Sequence, residues 1–137
     1  QKLLINTEKV QVLEPTKTDK VFVLYLPENE IHELGLMYLN YEIILNGYKT
    51  IYLGESVPIS SLKDIKRYFD SVTYISYMTV EPQKEDVNNY LKELHQEIIE
   101  GENAELWAIG RITEFIKQEQ HPKVKVFHSI LELANNL

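Results

Sequence analysis

One stretch constrains the chain more than any other. An apolar run at 21–26 ends in Pro27, and a polar turn follows with Glu28, Glu30, His32 and Glu33. Gly35 sits just behind His32, and an apolar helical pattern then runs from about 31 to 46, before Gly47. A second apolar run, 48–53, ends in Gly54. This is strand, loop, helix, strand, with Gly47 suited to the helix C′ position, where a positive φ is needed. The loop after the first strand carries the densest set of potential ligands in the sequence.

The same alternation continues to the end. Ser60 or Ser61 is expected to cap a second helix, with Ser61-x-x-Asp64 as a capping signal and Leu62, Ile65, Tyr68 and Phe69 as its apolar face. Residues 72–78 read as strand three. A third helix is expected at about 85–100, with Val87, Leu91, Leu94 and Ile98 on one stripe. After the turn Gly101-Glu102-Asn103, strand four covers 106–109, and Ile112, Phe115 and Ile116 mark a short helix. Strand five covers 124–127, and a last helix 130–137. Residues 1–19 combine an apolar patch with Pro15 and a Thr/Lys/Asp run, and read as a linker or the remnant of a preceding domain. The domain itself is expected at 20–137.

Strands that are each followed by a helix imply a parallel sheet covered on both faces, and near-continuous apolar strands agree. The expectation is a flavodoxin- or Rossmann-like α/β domain, a five-stranded parallel sheet of order 2-1-3-4-5 with helices on both faces. Ligands in such sheets bind beyond the carboxyl ends of the strands, beside the switch point between strands one and three. The loop after strand one and the ends of strands three and four converge there, carrying Glu30, His32 and Gly35, then Ser76 and Met78, then Gly110.

Composition removes several function classes. With 137 residues, one domain is the natural expectation, and 44% apolar residues suffice for a core. A formal charge of −7 without a Lys/Arg block argues against holding duplex DNA, because phosphates need a basic face. The absence of Cys leaves no disulfide framework and no thiolate metal site. No apolar run approaches the length of a membrane span, and no signal peptide is visible. A cytoplasmic fragment of a longer protein is therefore expected.

The core Glu30-x-His32-x-x-Gly35 resembles the Asp-x-His-x-x-Gly loop of cobalamin-binding domains, with Glu where that family has Asp. Ser76-x-Met78 resembles its Ser-x-Leu, and Gly110-Arg111 stands where it has Gly-Gly. The resemblance covers about 21–137. It is nearest to the cobalamin-binding-type sensory domains of MerR-type transcription regulators, in which stretches like PENE-x-HE-x-GL (27–36) and YLG-x-x-VP (52–58) are typical. The resemblance implies adenosylcobalamin or a related corrinoid as cofactor, with His32 as the lower axial ligand of cobalt. It also implies a DNA-binding helix-turn-helix domain outside this chain, a homo-oligomer, and no catalysis by this domain.

Each piece has a chemical reason. Cobalt accepts a neutral imidazole nitrogen. A carboxylate on the other ring nitrogen fixes the tautomer and raises basicity, the role that the resemblance gives Glu30. Gly35 leaves room for close approach. In the family the Ser bonds the displaced nucleotide base, and small residues at the end of strand four admit the nucleotide tail; Arg111 and the nearby Trp107 are bulky by comparison.

Other readings compete. A degenerate relative could keep the fold as a protein-interaction module, and a cobalamin-carrying domain of a mutase or methyltransferase would share the loop. A receiver domain would need Asp at the end of strand three and Lys at the end of strand five, where this chain has Ser76-Tyr77-Met78-Thr79 and Phe127-His128-Ser129. A flavodoxin would need a Ser/Thr/Gly phosphate loop after strand one. Glu28, Glu30, His32 and Glu33 are close enough in sequence for a metal site, although such carboxylates are usually solvated. His95 and His121 read as surface residues, and His128 lies nearer the functional edge. Helix one is apolar nearly all round, which implies burial on more than one side, or an interface with another domain or a second copy.

Overall fold

The structure, a computed structural model, describes residues 17–66 and 68–137. The elements are β1 (Lys17–Pro27), α1 (Leu34–Leu45), β2 (Tyr48–Val57), α2 (Ile59–Lys66), β3 (Val72–Tyr77) and α3 (Val87–Leu94). They continue as β4 (Ala104–Ile109), β5 (Val124–Phe127) and α4 (Ile130–Ala134). Most of the expected linker, residues 1–16, lies outside the described residues.

All five strands are parallel, in the order β2-β1-β3-β4-β5, as expected. Alternation along each strand divides the core into two layers. Val21, Val23, Tyr25, Tyr74, Leu106 and Ala108 face α2 and α3, where Leu62, Val87, Leu91 and Leu94 complete one cluster. Phe22, Leu24, Ile75, Trp107, Ile109 and Phe127 face α1 and α4, meeting Leu36, Leu39, Ile43 and Leu133. Trp107 belongs to this second layer, its ring 5.5 Å from Phe22 and 5.1 Å from Phe127 between centroids. It pairs in register with Ile75, two residues below the strand ends, and is a core aromatic.

Several boundaries differ from the sequence reading, each for a local reason. α1 begins at Leu34 and not at 31, because the amides of Ile31 and His32 bond the Glu30 side chain instead of entering a helix. β2 passes through Gly54 to Val57, and stays paired to β1 through Tyr25 opposite Gly54 and Pro27 opposite Val57. Its far end holds the β1 loop: the Ser56 amide donates to the Glu30 carbonyl at 3.0 Å, and the Asn29 amide to Ser56 Oγ at 3.0 Å. α2 starts at Ile59, with the Ser61 amide on the Pro58 carbonyl, so Ser60 and Ser61 lie inside the first turn and do not cap it. Proline's fixed φ suits that entry.

α3 is shorter than 85–100 and passes into a π-helical turn, His95–Ile99. The short fourth helix is a 3-10 turn, Arg111–Phe115, closed by Thr113 Oγ1 donating to the Gly110 carbonyl. His121 is buried, not at the surface. Its Nε2 lies 3.0 Å from Asn88 Oδ1, which also accepts the Lys117 amide. Burial, and then the charge of Lys92, hold its pKa below the usual imidazole value.

Among the described residues, α1 is covered on one side only. Leu36, Leu39, Asn40 and Ile43 are buried against the sheet, while Leu34, Tyr38 and Leu45, with Ile31 just before the helix, are exposed. Burial on more than one side therefore does not hold among the described residues. Among the described residues, no helix is long and apolar enough to cross a membrane.

Candidate functional site

β1 lies between β2 and β3, so its carboxyl end adjoins that of β3, and the loops that follow them meet. The bond between these loops is Glu30. Its side chain is fully buried, and both oxygens are saturated. Oε1 accepts three consecutive amides from the loop after β3: Thr79 at 2.9 Å, Val80 at 2.6 Å and Glu81 at 3.0 Å. Oε2 accepts the amides of Ile31 at 3.0 Å and His32 at 3.1 Å, and lies 2.8 Å from His32 Nδ1.

Burial alone pushes a carboxyl pKa up. Here the amides of Val80 and Glu81, then the His32 ring and amide, outweigh it and bring Glu30 down to about 2. Glu30 is thus a carboxylate throughout the neutral range and can only accept hydrogen bonds. His32 Nδ1 must then carry the proton, and in the neutral ring Nε2 keeps a lone pair. The imidazole stands in the open, with 57% of the side chain exposed. The pair presents an outward-facing ring nitrogen whose tautomer is set by the carboxylate behind it.

Gly35, in the first turn of α1, is also brought to this crevice. A Cβ there would come 2.5 Å from Cε2 of Tyr77, so the Tyr77 ring lies directly on the glycine backbone. Beside it, Tyr52 OH donates to Glu33 Oε1 at 2.9 Å, which fixes the residue that precedes α1.

The other expected site residues divide. Gly110 lines a cavity of about 470 Å³ at the ends of β3, β4 and β5, with Tyr77, Arg111, Phe127 and His128. Arg111 is exposed at its rim. Gly110 has a positive φ of 115°, and a Cβ there would meet the Met78 carbonyl oxygen at 2.4 Å. Glycine is required here by the close approach of two backbones. Ser76 and Met78 are not brought to this cavity. Both are buried, and Met78 packs in the layer facing α2 and α3. Ser76, two residues earlier, shares that side of the strand. Its Oγ has no partner of hydrogen-bonding geometry, although it lies near enough to Tyr25 to act on that hydroxyl.

A conventional metal site from the loop carboxylates does not form. Glu28 is exposed, Glu30 is spent on amides, and Glu33 is held by Tyr52. Among the described residues no group of three potential ligands converges.

Comparison with solved structures places this architecture. The chain superposes on the monomethylamine corrinoid protein of Methanosarcina barkeri with a TM-score of 0.72 at 13% identity, over 98% of this chain and 63% of that one. A cobalamin-binding protein from Desulfitobacterium hafniense DCB-2 gives 0.65 at 11% identity, over 98% and 67%. The methanol:cobalamin methyltransferase complex MtaBC of Methanosarcina barkeri gives 0.61 at 19% identity, over 93% and 48%. The fold is that of corrinoid proteins. The chain spans between 48% and 67% of the length of these three. No protein-family model and no curated protein sequence matches it.

Sequence reasoning missed two parts of this crevice. The amides of Thr79, Val80 and Glu81 carry no side-chain signal, so nothing in their identity announced that Glu30 would reach them. Tyr77 was legible in principle. It lies between Ser76 and Met78, and strand alternation sends it to the face opposite theirs, the face on which α1 lies.

Proposed function

We propose that this chain is a corrinoid-binding domain in which His32 supplies the lower axial nitrogen and Glu30 orients it. The observation that carries this reading is the Glu30–His32 pair: Nδ1 held at 2.8 Å by a buried carboxylate, with Nε2 left to a ring exposed at the carboxyl edge of the sheet. The donor set suits the ligand, because cobalt takes neutral imidazole and a carboxylate behind the ring raises its basicity. A bound corrinoid would supply a cobalt ion carrying an exchangeable group, with His32 as the residue that would hold it.

The chain's own part is to bind and orient. Glu30 keeps the imidazole in one tautomer, and through Thr79, Val80 and Glu81 it ties the ligand loop to the β3 loop. Gly35 and Tyr77 form the floor beside the ligand. Catalysis is left to another domain or protein.

Two outputs of such a site have support. Carriage of a corrinoid to a methyltransferase is favoured by the structural likeness to proteins of that description. A sensory role in a MerR-type regulator is favoured by the stretches at 27–36 and 52–58. On the second reading DNA is bound by another domain, because this chain carries a formal charge of −7. A helix-turn-helix in the full-length protein would select it, and a salt-sensitive complex of this chain alone with duplex DNA would count against it.

The decisive experiment is spectroscopic. Aquocobinamide, whose lower position is open, is titrated with protein, and imidazole coordination shifts its visible bands. His32→Ala is expected to abolish the shift, and Glu30→Gln to weaken binding roughly 10–100-fold. No shift with wild-type protein would reject the reading.

A further inference from the structure

The cavity of about 470 Å³ beyond β3, β4 and β5 is within the range of small-molecule sites, yet neither His32 nor Gly35 lines it. Tyr77 stands between. Its ring rests on the Gly35 backbone, where even a Cβ would come within 2.5 Å, and the same residue forms part of the cavity wall. The wall also includes Thr79, Gly110 and Arg111, with Phe127 and His128 from the end of β5. Thr79, whose amide bonds Glu30, shares that wall, and Tyr77 is the bulky side chain set between Gly35 and the cavity.

This matters for what hangs beneath a corrin ring. Complete cobalamin carries a nucleotide on its lower face, and when a protein imidazole takes the lower position that nucleotide is displaced and must be housed. With cobalt on His32 Nε2, the lower face of the ring is turned toward the loop and the sheet edge. A large space at that edge is the cavity behind Tyr77. We propose that Tyr77 sets which lower substituent the site accepts: in its observed position the chain takes corrinoids without a lower nucleotide in preference to complete cobalamin. Removing the ring joins the crevice to the cavity and admits the nucleotide. This inference rests on the corrinoid-binding reading and adds its ligand selectivity.

The test measures the affinities of aquocobinamide and hydroxocobalamin for wild type, Tyr77→Ala and Tyr77→Phe from their visible spectra, with His32→Ala as baseline. The internal base of cobalamin competes with His32 in every variant, so the change in the ratio of affinities is the measured quantity. Wild type is expected to favour aquocobinamide. Tyr77→Ala is expected to narrow that preference at least tenfold, by improving hydroxocobalamin binding, while Tyr77→Phe keeps the wild-type ratio. If circular dichroism shows that Tyr77→Ala does not fold, Tyr77→Leu carries the same comparison. A ratio unchanged by loss of the ring, or a wild type that already prefers hydroxocobalamin, overturns the inference and leaves the corrinoid reading standing. No His32-dependent shift with either corrinoid, in wild type and variant alike, overturns both.

Discussion

Glu30 holds His32 twice, through the ring Nδ1 at 2.8 Å and the backbone amide at 3.1 Å, both on the same carboxylate oxygen. The other oxygen is fully committed to the loop after β3. One side chain thus orients the candidate ligand and joins the two loops that frame the crevice. Aspartate, one methylene shorter, would not span both tasks from the same backbone position.

Glu30→Asp separates these roles. It should keep the His32 contact while releasing the amides of Thr79, Val80 and Glu81. Hydrogen bonds to a charged group contribute on the order of 1.5–3 kcal/mol. Urea unfolding should therefore show a loss of that size, with corrinoid affinity falling less than in Glu30→Gln. Wild-type stability for Glu30→Asp would show that the shorter chain still reaches, or that the amides find other partners.

Acid stability follows from the same residue. The folded pKa of Glu30, about 2, lies below its ordinary 4.5. A depressed carboxyl pKa stabilises the fold fully above the unfolded value, and the contribution fades as pH falls from about 4.5 through about 2. The gap corresponds to at most about 3 kcal/mol. Wild type and Glu30→Gln should thus differ most near neutral pH and converge toward pH 2 when their denaturant midpoints are compared. A constant difference across that range would assign the stabilisation to something other than ionisation.

Gly35 and Tyr77 should be coupled. Gly35→Ala forces the Tyr77 ring to move, and overpacking of this kind costs about 1–3 kcal/mol. In a Tyr77→Ala background the clash is gone, and alanine's better helix propensity should stabilise by up to about 1 kcal/mol. A double-mutant cycle measures the sign change. Additive effects would mean that the ring yields at no cost.

Gly110→Ala should be the more damaging glycine substitution. Its Cβ meets the backbone of Met78, not a mobile side chain, and φ is 115°. A loss of several kcal/mol is expected, beyond the usual 0.5–3 for a single substitution. Thermal unfolding well below wild type would agree, whereas a near-neutral variant would contradict the backbone approach.

The outer stripe of α1 is expected to support self-association. Leu34 is 72% exposed, and Tyr38 and Leu45 lie along the same open side. Sedimentation should show a concentration-dependent dimer that Leu34→Glu weakens at least tenfold. A monomer at high concentration would remove this surface from consideration.

The sequence by itself determined the alternation of strands and helices, the parallel sheet and its order. Those follow from apolar runs, helical periodicity and the turn residues between them, which act over neighbouring positions. It also placed Glu30, His32 and Gly35 in one short stretch after the first strand. What it could not decide was long-range contact and direction. The Glu30 side chain reaches amides about fifty residues further on, and those donors are backbone groups shared by every residue type. Ser76 and Met78 lie beside the crevice in sequence yet face the opposite core layer, because the register of β3 against β1 and β4 fixes which side each residue takes. Tyr77 inherits the crevice by the same alternation. Gly110 is required by the Met78 carbonyl packed against it, a contact between strand ends that only the assembled sheet brings together.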